Sequence, residues 1–346
     1  MNISIAVADS NRDYIERLSE GLQKYEELTI HVYTNGQKLQ AAIDSGNFDI
    51  VLFDPDILED RLSFSNVRFP VYLYSDESRN RGIYADFAKV VKYQRISGIY
   101  KDIIREYADK AGYSAEFDHS QNTSVIAVYS PAGGSGKTTL ALAMASRFSG
   151  LGKKALFVSA EQLSSSSYVN PKQEEGMTAL VESASDENVN FGLKAKGTMK
   201  QGLNGMLYVE GFERIVDYDA VTGAEMGDAL DKIRRCGLCD VMVVDMESNL
   251  DPIGRAILEL ADHIVLVEKP GELAAMKMKL FAGQALMNEY RRKMVKICNF
   301  AENSSTYCQE PDIPTAGTVH NYGNLPLKSI LQAINANGEI AMDRFL

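Results

Sequence analysis

Apolar residues along the first third of the chain fall into short runs that alternate with stretches of helical period. Ile3–Ala8, apolar apart from Ser4, reads as a buried strand. In Arg12–Leu22, residues Tyr14, Ile15, Leu18 and Leu22 recur at helical spacing and predict one buried helix face. Thr29–Tyr33 then reads as a strand and Gln37–Ile43 as a helix. Three more apolar runs follow at Asp49–Phe53, Val71–Tyr74 and Ala88–Val91, and a helix over Ser97–Lys110 closes the segment. Short strands alternating with amphipathic helices predict βαβ units around a parallel sheet.

The pattern stops after Gly112. Tyr113–Thr123 is polar and aperiodic, as a linker is. A second α/β run opens with Ser124–Tyr129 and continues with strands at Ala155–Val158, Val241–Val244, Ile264–Val267 and Val295–Cys298. Helices are predicted over Lys137–Phe148, Ala220–Arg235, Pro252–Ala261 and Leu273–Arg292. Gln162–Gly205, rich in Ser, Gly and Lys, shows no readable period, and Ser164–Ser167 reads as a loop. The expected organisation is therefore two doubly wound α/β domains, residues 1–112 and 124–346, joined by a linker at 113–123, the second with a mainly parallel sheet.

Composition narrows the function classes. Of 346 residues, 45% are hydrophobic and 24% charged, enough to bury a sizeable core in each domain. Apolar runs stay short of the roughly 18 residues that span a bilayer, and Met1–Ser4 lacks the basic start of a signal peptide. A cytoplasmic location is expected, and four cysteines suit a reducing compartment. The net charge of −11 argues against coating DNA irrespective of sequence, which needs surplus Lys and Arg. Arg291, Arg292, Lys293 and Lys296 form a local basic cluster that reads as a solvated helix end. Cys236 and Cys239 make a C-x-x-C pair, but zinc takes four ligands and no second pair stands at finger spacing. With Cys298 and Cys308 alone in the chain, the cysteines read as core residues.

The strongest chemical signal is Ser130–Thr139, S-P-A-G-G-S-G-K-T-T, set between a strand and an apolar helix. Gly133, Gly134 and Gly136, with Ser135 between them, let backbone N–H groups turn inward around an oxyanion, and the following helix points its positive end at the same place. Lys137 would reach the β- and γ-phosphates of a nucleotide, and the Thr138 hydroxyl would enter a Mg²⁺ shell.

This loop, with Gly133-Gly134-Ser135-Gly136-Lys137-Thr138-Thr139, resembles the deviant Walker A motif of the MinD/ParA ATPase family, K-G-G-x-G-K-[ST]-[ST]. Asp240–Asp245 resembles the family's Walker B strand, which makes Asp245 a ligand of Mg²⁺, directly or through water. Ala261–Val267 resembles the strand that follows it, and Lys154–Glu161 the strand that ends in D-x-D, with Ser159 and Glu161 in place of the acids. The resemblance implies ATP and Mg²⁺ as cofactors, a homodimer with ATP at the interface, and Asn299 at the adenine. Two positions depart from the pattern. Ala132 stands where the family has the lysine that reaches the partner subunit's phosphates, and Glu161 replaces the acid that positions the attacking water. Catalysis is thus expected from Lys137, Glu161 and Asp245 at a slow rate, since a cation supplied in trans accelerates hydrolysis by about 10³–10⁵ in GTPases.

The N-terminal segment resembles a two-component receiver, a flavodoxin-like fold. Asp54 stands at the phosphoacceptor position, Ser75 at the hydroxyl position and Lys92 at the lysine position, while Ala8-Asp9 supplies one of the usual two acids. One carboxylate fewer weakens Mg²⁺ capture, which leaves a docking domain and a phosphoacceptor as alternative readings. The interval from Ser75 to Lys92 is short and predicts a reduced fourth helix.

A receiver-like domain ahead of a MinD/ParA-like ATPase is similar to the TadZ/CpaE pilus-assembly proteins. That resemblance implies an ATP-binding, dimerising scaffold that positions Tad (Flp) pilus machinery at a cell pole, with pilus-assembly or polar proteins as partners. Direct membrane insertion is not expected, because the C-terminal stretch Ile334–Leu346 has Arg344 as its single basic residue. The alternatives are a partitioning ATPase for another cargo, with DNA an unlikely partner, and a small-molecule enzyme such as an amidoligase or carboxylase on the same fold.

Overall fold

A computed structural model describes residues 3–25, 27–46, 48–57, 63–64, 67, 69–75, 87–111, 123–164, 176–186, 189–302, 307 and 312–345. The chain forms two compact units, Met1–Glu116 with Glu187–Gly197, and Phe117–Asp186 with Thr198–Leu346.

The first unit is built from β1 (Ile3–Ala8), α1 (Arg12–Leu22), β2 (Leu28–Tyr33), α2 (Gly36–Ser45), β3 (Ile50–Phe53), β4 (Phe69–Tyr74), β5 (Ala88–Val91) and α3 (Ile96–Ala111). Asn11 caps α1 by accepting from the Tyr14 N–H, and Asn35 caps α2 through Gln37 and Lys38, so each helix starts where a short side chain meets its orphan donors. The strands lie parallel in the order β2-β1-β3-β4-β5, a doubly wound arrangement whose direction reverses between β1 and β3. Alternation along β1 sends Ile3, Ile5 and Val7 to one face, where they meet Ile15, Leu18 and Leu22 of α1. Ala6 and Ala8 face the other way, with Leu39 and Ile43 of α2. Asp9, Asp54 and Lys92 directly follow β1, β3 and β5, at one edge of the sheet.

The second unit adds β6 (Ser124–Tyr129), α4 (Lys137–Gly150), β7 (Ala155–Ala160) and α5 (Met177–Ala184). After the helix α6 (Phe191–Thr198) come β8 (Lys200–Gln201), β9 (Leu207–Val209), α7 (Ile215–Ala220), α8 (Gly223–Arg235), β10 (Val241–Met246) and α9 (Pro252–Leu260). The chain ends with β11 (His263–Glu268), α10 (Glu272–Ala282), α11 (Met287–Tyr290), β12 (Met294–Ala301), β13 (Thr315–His320) and α12 (Leu327–Asn337). Its strand order is β13-β12-β11-β6-β10-β7-β9-β8, with β8 antiparallel to β9 and the other pairs parallel. Both β6 and β10 are buried on both faces, which is why they read as unbroken apolar runs. Leu140–Ala145 of α4 is buried throughout, and α4 forms the centre of the core with Phe148, Phe157, Val243 and Leu331.

Several predicted elements have different bounds. The helix expected over Ala220–Arg235 is two helices, because Thr222 forms a capping box with Glu225 and starts α8 afresh. The helix expected over Leu273–Arg292 ends at Gly283, and a 3₁₀ turn covers Arg291–Lys293. The predicted linker and the interval after Ser75 fall outside the described residues, except for Thr123, whose hydroxyl donates to the Cys239 carbonyl at 2.6 Å.

Helix α6 sits in the middle of the stretch that resisted reading and packs with the first unit, not with the domain its position in sequence suggests. Leu193 is buried in the core of β1, β3, β4 and α3. Lys196 forms an ion pair with Glu27 and lies 5.8 Å above the Tyr100 ring, while Tyr100 donates to Glu27 and stacks on Tyr25. Burial raises the Glu27 carboxyl, but the hydrogen bonds from Lys196 and Tyr100 outweigh it and leave it below its ordinary value. Among the described residues, no helix is long and apolar enough to cross a membrane.

Candidate functional site

Between β6 and α4 the loop Ser130–Gly136 turns on left-handed glycines, Gly134 at φ 64° and Gly136 at φ 86°. At Gly136 a side chain is doubly excluded, since a Cβ there would lie 2.3 Å from the Asn299 amide nitrogen. Helix α4 starts at Lys137 with no side-chain cap, so its first N–H groups and the positive end of its dipole remain available to an anion. Lys137 is buried, and its ammonium donates to the Ser248 hydroxyl at 2.8 Å. Asn299 donates its amide to the Ser135 carbonyl at 2.8 Å, and Lys269 donates to the Gly133 carbonyl at 2.7 Å. The loop is thereby pinned from three neighbouring strand ends, those of β10, β11 and β12. Beside it, Thr139, Asn299, Phe300, His320 and Tyr322 line a recess.

Asp245, in β10, pairs in register with Ser159 of β7 and Val128 of β6, directly beneath the loop. It is fully buried, and neither carboxylate oxygen meets a hydrogen-bond donor in bonding geometry. Burial pushes its pKa well above the usual carboxylate value, and the neighbouring Glu161 pushes it further. Thr138 and Lys137 lie close enough to pull it down, but they do not reverse the shift. The hydroxyls of Ser135 and Ser159 are likewise buried without a hydrogen-bond partner. Buried polar atoms left in this state are costly, by about 1–3 kcal/mol each. A divalent cation fits the gap: the Asp245 carboxylate and Thr138 hydroxyl are hard oxygen donors, and a cation supplies the positive charge that two adjacent acids need. A phosphate chain fits the loop above them.

The structure thus brings together Gly133, Gly134, Ser135, Gly136, Lys137, Thr138, Asp245 and Asn299, with Glu161 at the end of β7 against Asp245. Ser248 and Lys269 were not singled out in the sequence. Each belongs to the segment just after a central strand, and only the strand order places those segments at the loop.

In the first unit, Lys92 lies 2.5 Å from Asp54 Oδ2 and 2.7 Å from Asp9 Oδ2, with all three side chains buried. The contact to Asp54 is a hydrogen bond, whereas that to Asp9 is an ion pair outside hydrogen-bond geometry. Backbone N–H groups of Asn11 and Asp56 satisfy the other oxygens, at 2.8 and 2.7 Å. Burial favours a neutral Lys92, but the two carboxylates overcome this and raise its pKa. Asp9 is raised by burial more than Lys92 lowers it. Ser75 follows β4, next to Lys92, whose N–H donates to the Tyr74 carbonyl at 2.7 Å.

An AAA domain family model matches residues 123–282. No curated protein sequence matches the chain. Among solved structures, the septum site-determining protein MinD of Pyrococcus horikoshii, complexed with Mg-ADP, is similar at 17% identity and a TM-score of 0.48, over 64% of this chain and 92% of that one. A plasmid partition protein of Borrelia burgdorferi is similar at 16% identity and a TM-score of 0.47, over 63% and 100%. Cobyrinic acid a,c-diamide synthase of Mycobacterium smegmatis, with ADP and magnesium, is similar at 14% identity and 0.43, over 63% and 83%.

The remaining sequence candidates carry structural duties. Burial pushes Cys239 up to about 12 and Cys236 up to about 11, so both stay as thiols at neutral pH. Cys298 is buried in β12, and Cys308 lies outside the described residues. Among the described residues no group of three or more His, Cys, Asp or Glu is arranged to hold a metal. In the basic cluster, Lys293 donates to the Ala261 carbonyl at 2.7 Å and Arg291 to the Ala282 carbonyl at 3.4 Å, capping the C-terminal ends of α9 and α10.

Proposed function

We propose that the second unit is an ATP-binding switch of the MinD/ParA kind, with ATP and Mg²⁺ as its ligands. The observation that carries this reading is Asp245, a fully buried carboxyl with neither oxygen in hydrogen-bonding geometry, which has Glu161 and, from the end of the glycine loop, Lys137 and Thr138 as its polar neighbours. The loop N–H groups and the start of α4 hold the β-phosphate. Lys137 exchanges the Ser248 hydroxyl for phosphate oxygens, a stronger charge-assisted bond. Thr138 and Asp245 hold the metal, which neutralises charge on the phosphates. The recess beside Asn299 and Tyr322 takes the base.

Turnover is slow in this proposal. Ala132 provides no cation for a partner subunit, and Glu161, the candidate to orient water, is occupied with Asp245. The chain acts instead as a nucleotide-gated scaffold that forms homodimers across ATP. The first unit is a receiver-like docking domain, in which the single Lys92 ammonium bridges Asp9 and Asp54. The order of the two along the chain resembles that of TadZ/CpaE proteins, and this resemblance supports a role in positioning Tad (Flp) pilus machinery at a cell pole in the cytoplasm.

Sedimentation velocity of wild type and Lys137→Ala, with and without Mg²⁺-ATP and with phosphate release followed in parallel, tests the switch. ATP-dependent dimers in wild type alone, with turnover far below 1 s⁻¹, on the order of the slow intrinsic rates of switch GTPases, support it. Nucleotide that neither binds nor changes the mass sinks it. For the pilus role, a fluorescent fusion that stays dispersed in cells making Tad pili would be decisive against.

A further inference from the structure

The loop's missing cation has a counterpart on the neighbouring strand. We infer that Lys269 is a phosphate-binding residue that reads the γ-phosphate from within the same chain; this rests on the ATP reading above. Strands β6 and β11 are parallel neighbours with Leu266 opposite Tyr129. Lys269 follows Leu266 by three residues, as Ala132, where the loop lacks a lysine, follows Tyr129. The side chain then reaches the loop itself. Its ammonium is 2.7 Å from the Gly133 carbonyl and 3.9 Å from the position a Cβ on Gly134 would take.

The geometry decides which phosphate it meets. Gly136 and Lys137 stand at the helix start, the end of the loop that holds the β-phosphate. Gly133 lies toward the β6 end of the loop, four residues before the α4 start, so a phosphate chain entered from Lys137 would bring its terminal phosphate to this side. No side chain intervenes: a Cβ on Gly133 would meet nothing within 4 Å. The partly exposed Lys269 ammonium is held there by one neutral carbonyl, a weaker partner than a charged phosphate oxygen. Pro270 directly after it limits the backbone, so the move from carbonyl to phosphate needs side-chain rotation only. Lys137 and Lys269 then approach the chain of phosphates from opposite ends of the loop.

The test is equilibrium binding of full-length wild type, Lys269→Ala, Lys269→Arg and Lys137→Ala to Mg²⁺ with a non-hydrolysable ATP analogue, and separately to Mg²⁺-ADP. A charge-assisted contact to the γ-phosphate predicts a loss on the order of tenfold for the triphosphate in Lys269→Ala, with ADP affinity unchanged and most of the loss recovered in Lys269→Arg. Equal losses for both nucleotides would mean that Lys269 merely braces the loop, and no loss would mean that it is a bystander; either overturns the inference while the ATP reading stands. If wild type binds neither nucleotide, both fall. If wild type binds and Lys137→Ala does not, the ATP reading holds and the triphosphate-to-diphosphate ratio of Lys269→Ala alone decides the role of Lys269.

Discussion

Each unit places two acids and a lysine at one edge of a parallel sheet, and the two clusters are in opposite electrostatic states. In the first unit, Lys92 bridges Asp9 and Asp54, and backbone donors take the remaining oxygens of both. In the second, Lys137 donates to Ser248, and Asp245 sits against Glu161 with neither oxygen in hydrogen-bonding geometry, Lys137 and Thr138 only partly offsetting its burial. Both acids next to a lysine have raised values: burial raises Asp9 against the opposing pull of Lys92, and burial raises Asp245, which its acidic neighbour pushes further. The difference teaches where to look for a ligand. Two acids that share an ion-paired lysine give up little by staying empty, whereas a buried carboxyl set against a second acid without such a pair gains most from a cation.

The comparison is broken most forcefully by removing the bridging lysine. Lys92→Met leaves two buried carboxylates without their cation, and loss of one partner from a buried pair costs about 3–5 kcal/mol. Urea unfolding should show that loss in the first unit, and the triple change Asp9→Asn, Asp54→Asn, Lys92→Met should restore most of it. If Lys92→Met alone is as stable as wild type, the cluster is solvated and its closed character is wrong.

The converse experiment is Asp245→Asn. It removes a buried carboxyl whose ionised form is penalised by burial and by Glu161, so the protein without nucleotide should melt at or above the wild-type temperature. With ligand at about 100 times Kd, wild type should gain about 2.7 kcal/mol and the variant little of it. A variant that is destabilised without ligand yet still gains full stability from Mg²⁺-ATP would show that the metal is held elsewhere.

How far such a contrast could be read in advance differs between its parts. Strands β1, β3, β6, β10 and β11 were legible because both faces are buried and the apolar run is unbroken. Asp9, Asp54 and Lys92, and likewise Gly133–Thr139 and Asp245, were legible because their chemistry sits within a few residues of such a run. Strand β13 was not, since it is an outer strand of the sheet in which only Ala316 and Val319 are buried, at a spacing that is not a strand's period of two. Helix α6 was not either: F-G-L-K-A-K-G-T carries two glycines and little period, and it packs into a core formed by segments far earlier in the chain. Ser248 and Lys269 act through sheet register, a property of strand order that no local window contains. The Asn299 side chain illustrates the same limit, because its hydrogen bond to Ser135 depends on where β12 falls.

Acid titration sharpens the contrast with the smallest effect. Asp245 has a folded value raised above its ordinary 3.8, so between 3.8 and the raised value the folded chain holds a proton that the unfolded chain has lost. Stability from this group is therefore greatest at low pH and falls as pH rises through that window, by at most about 1.4 kcal/mol per unit. Asp245→Asn should flatten that slope in the nucleotide-free protein. Binding of Mg²⁺-ATP would run the other way, because a metal held by Asp245 would need the ionised carboxylate and so release its proton. Affinity should therefore rise with pH by up to about tenfold per unit across the window and level off above it. Calorimetry in two buffers of different ionisation enthalpy would count the proton. Proton release on binding in wild type, absent in Asp245→Asn, places the metal at Asp245; a pH-independent affinity with no proton released would mean that the carboxylate is already ionised and that its burial is balanced by something other than a cation.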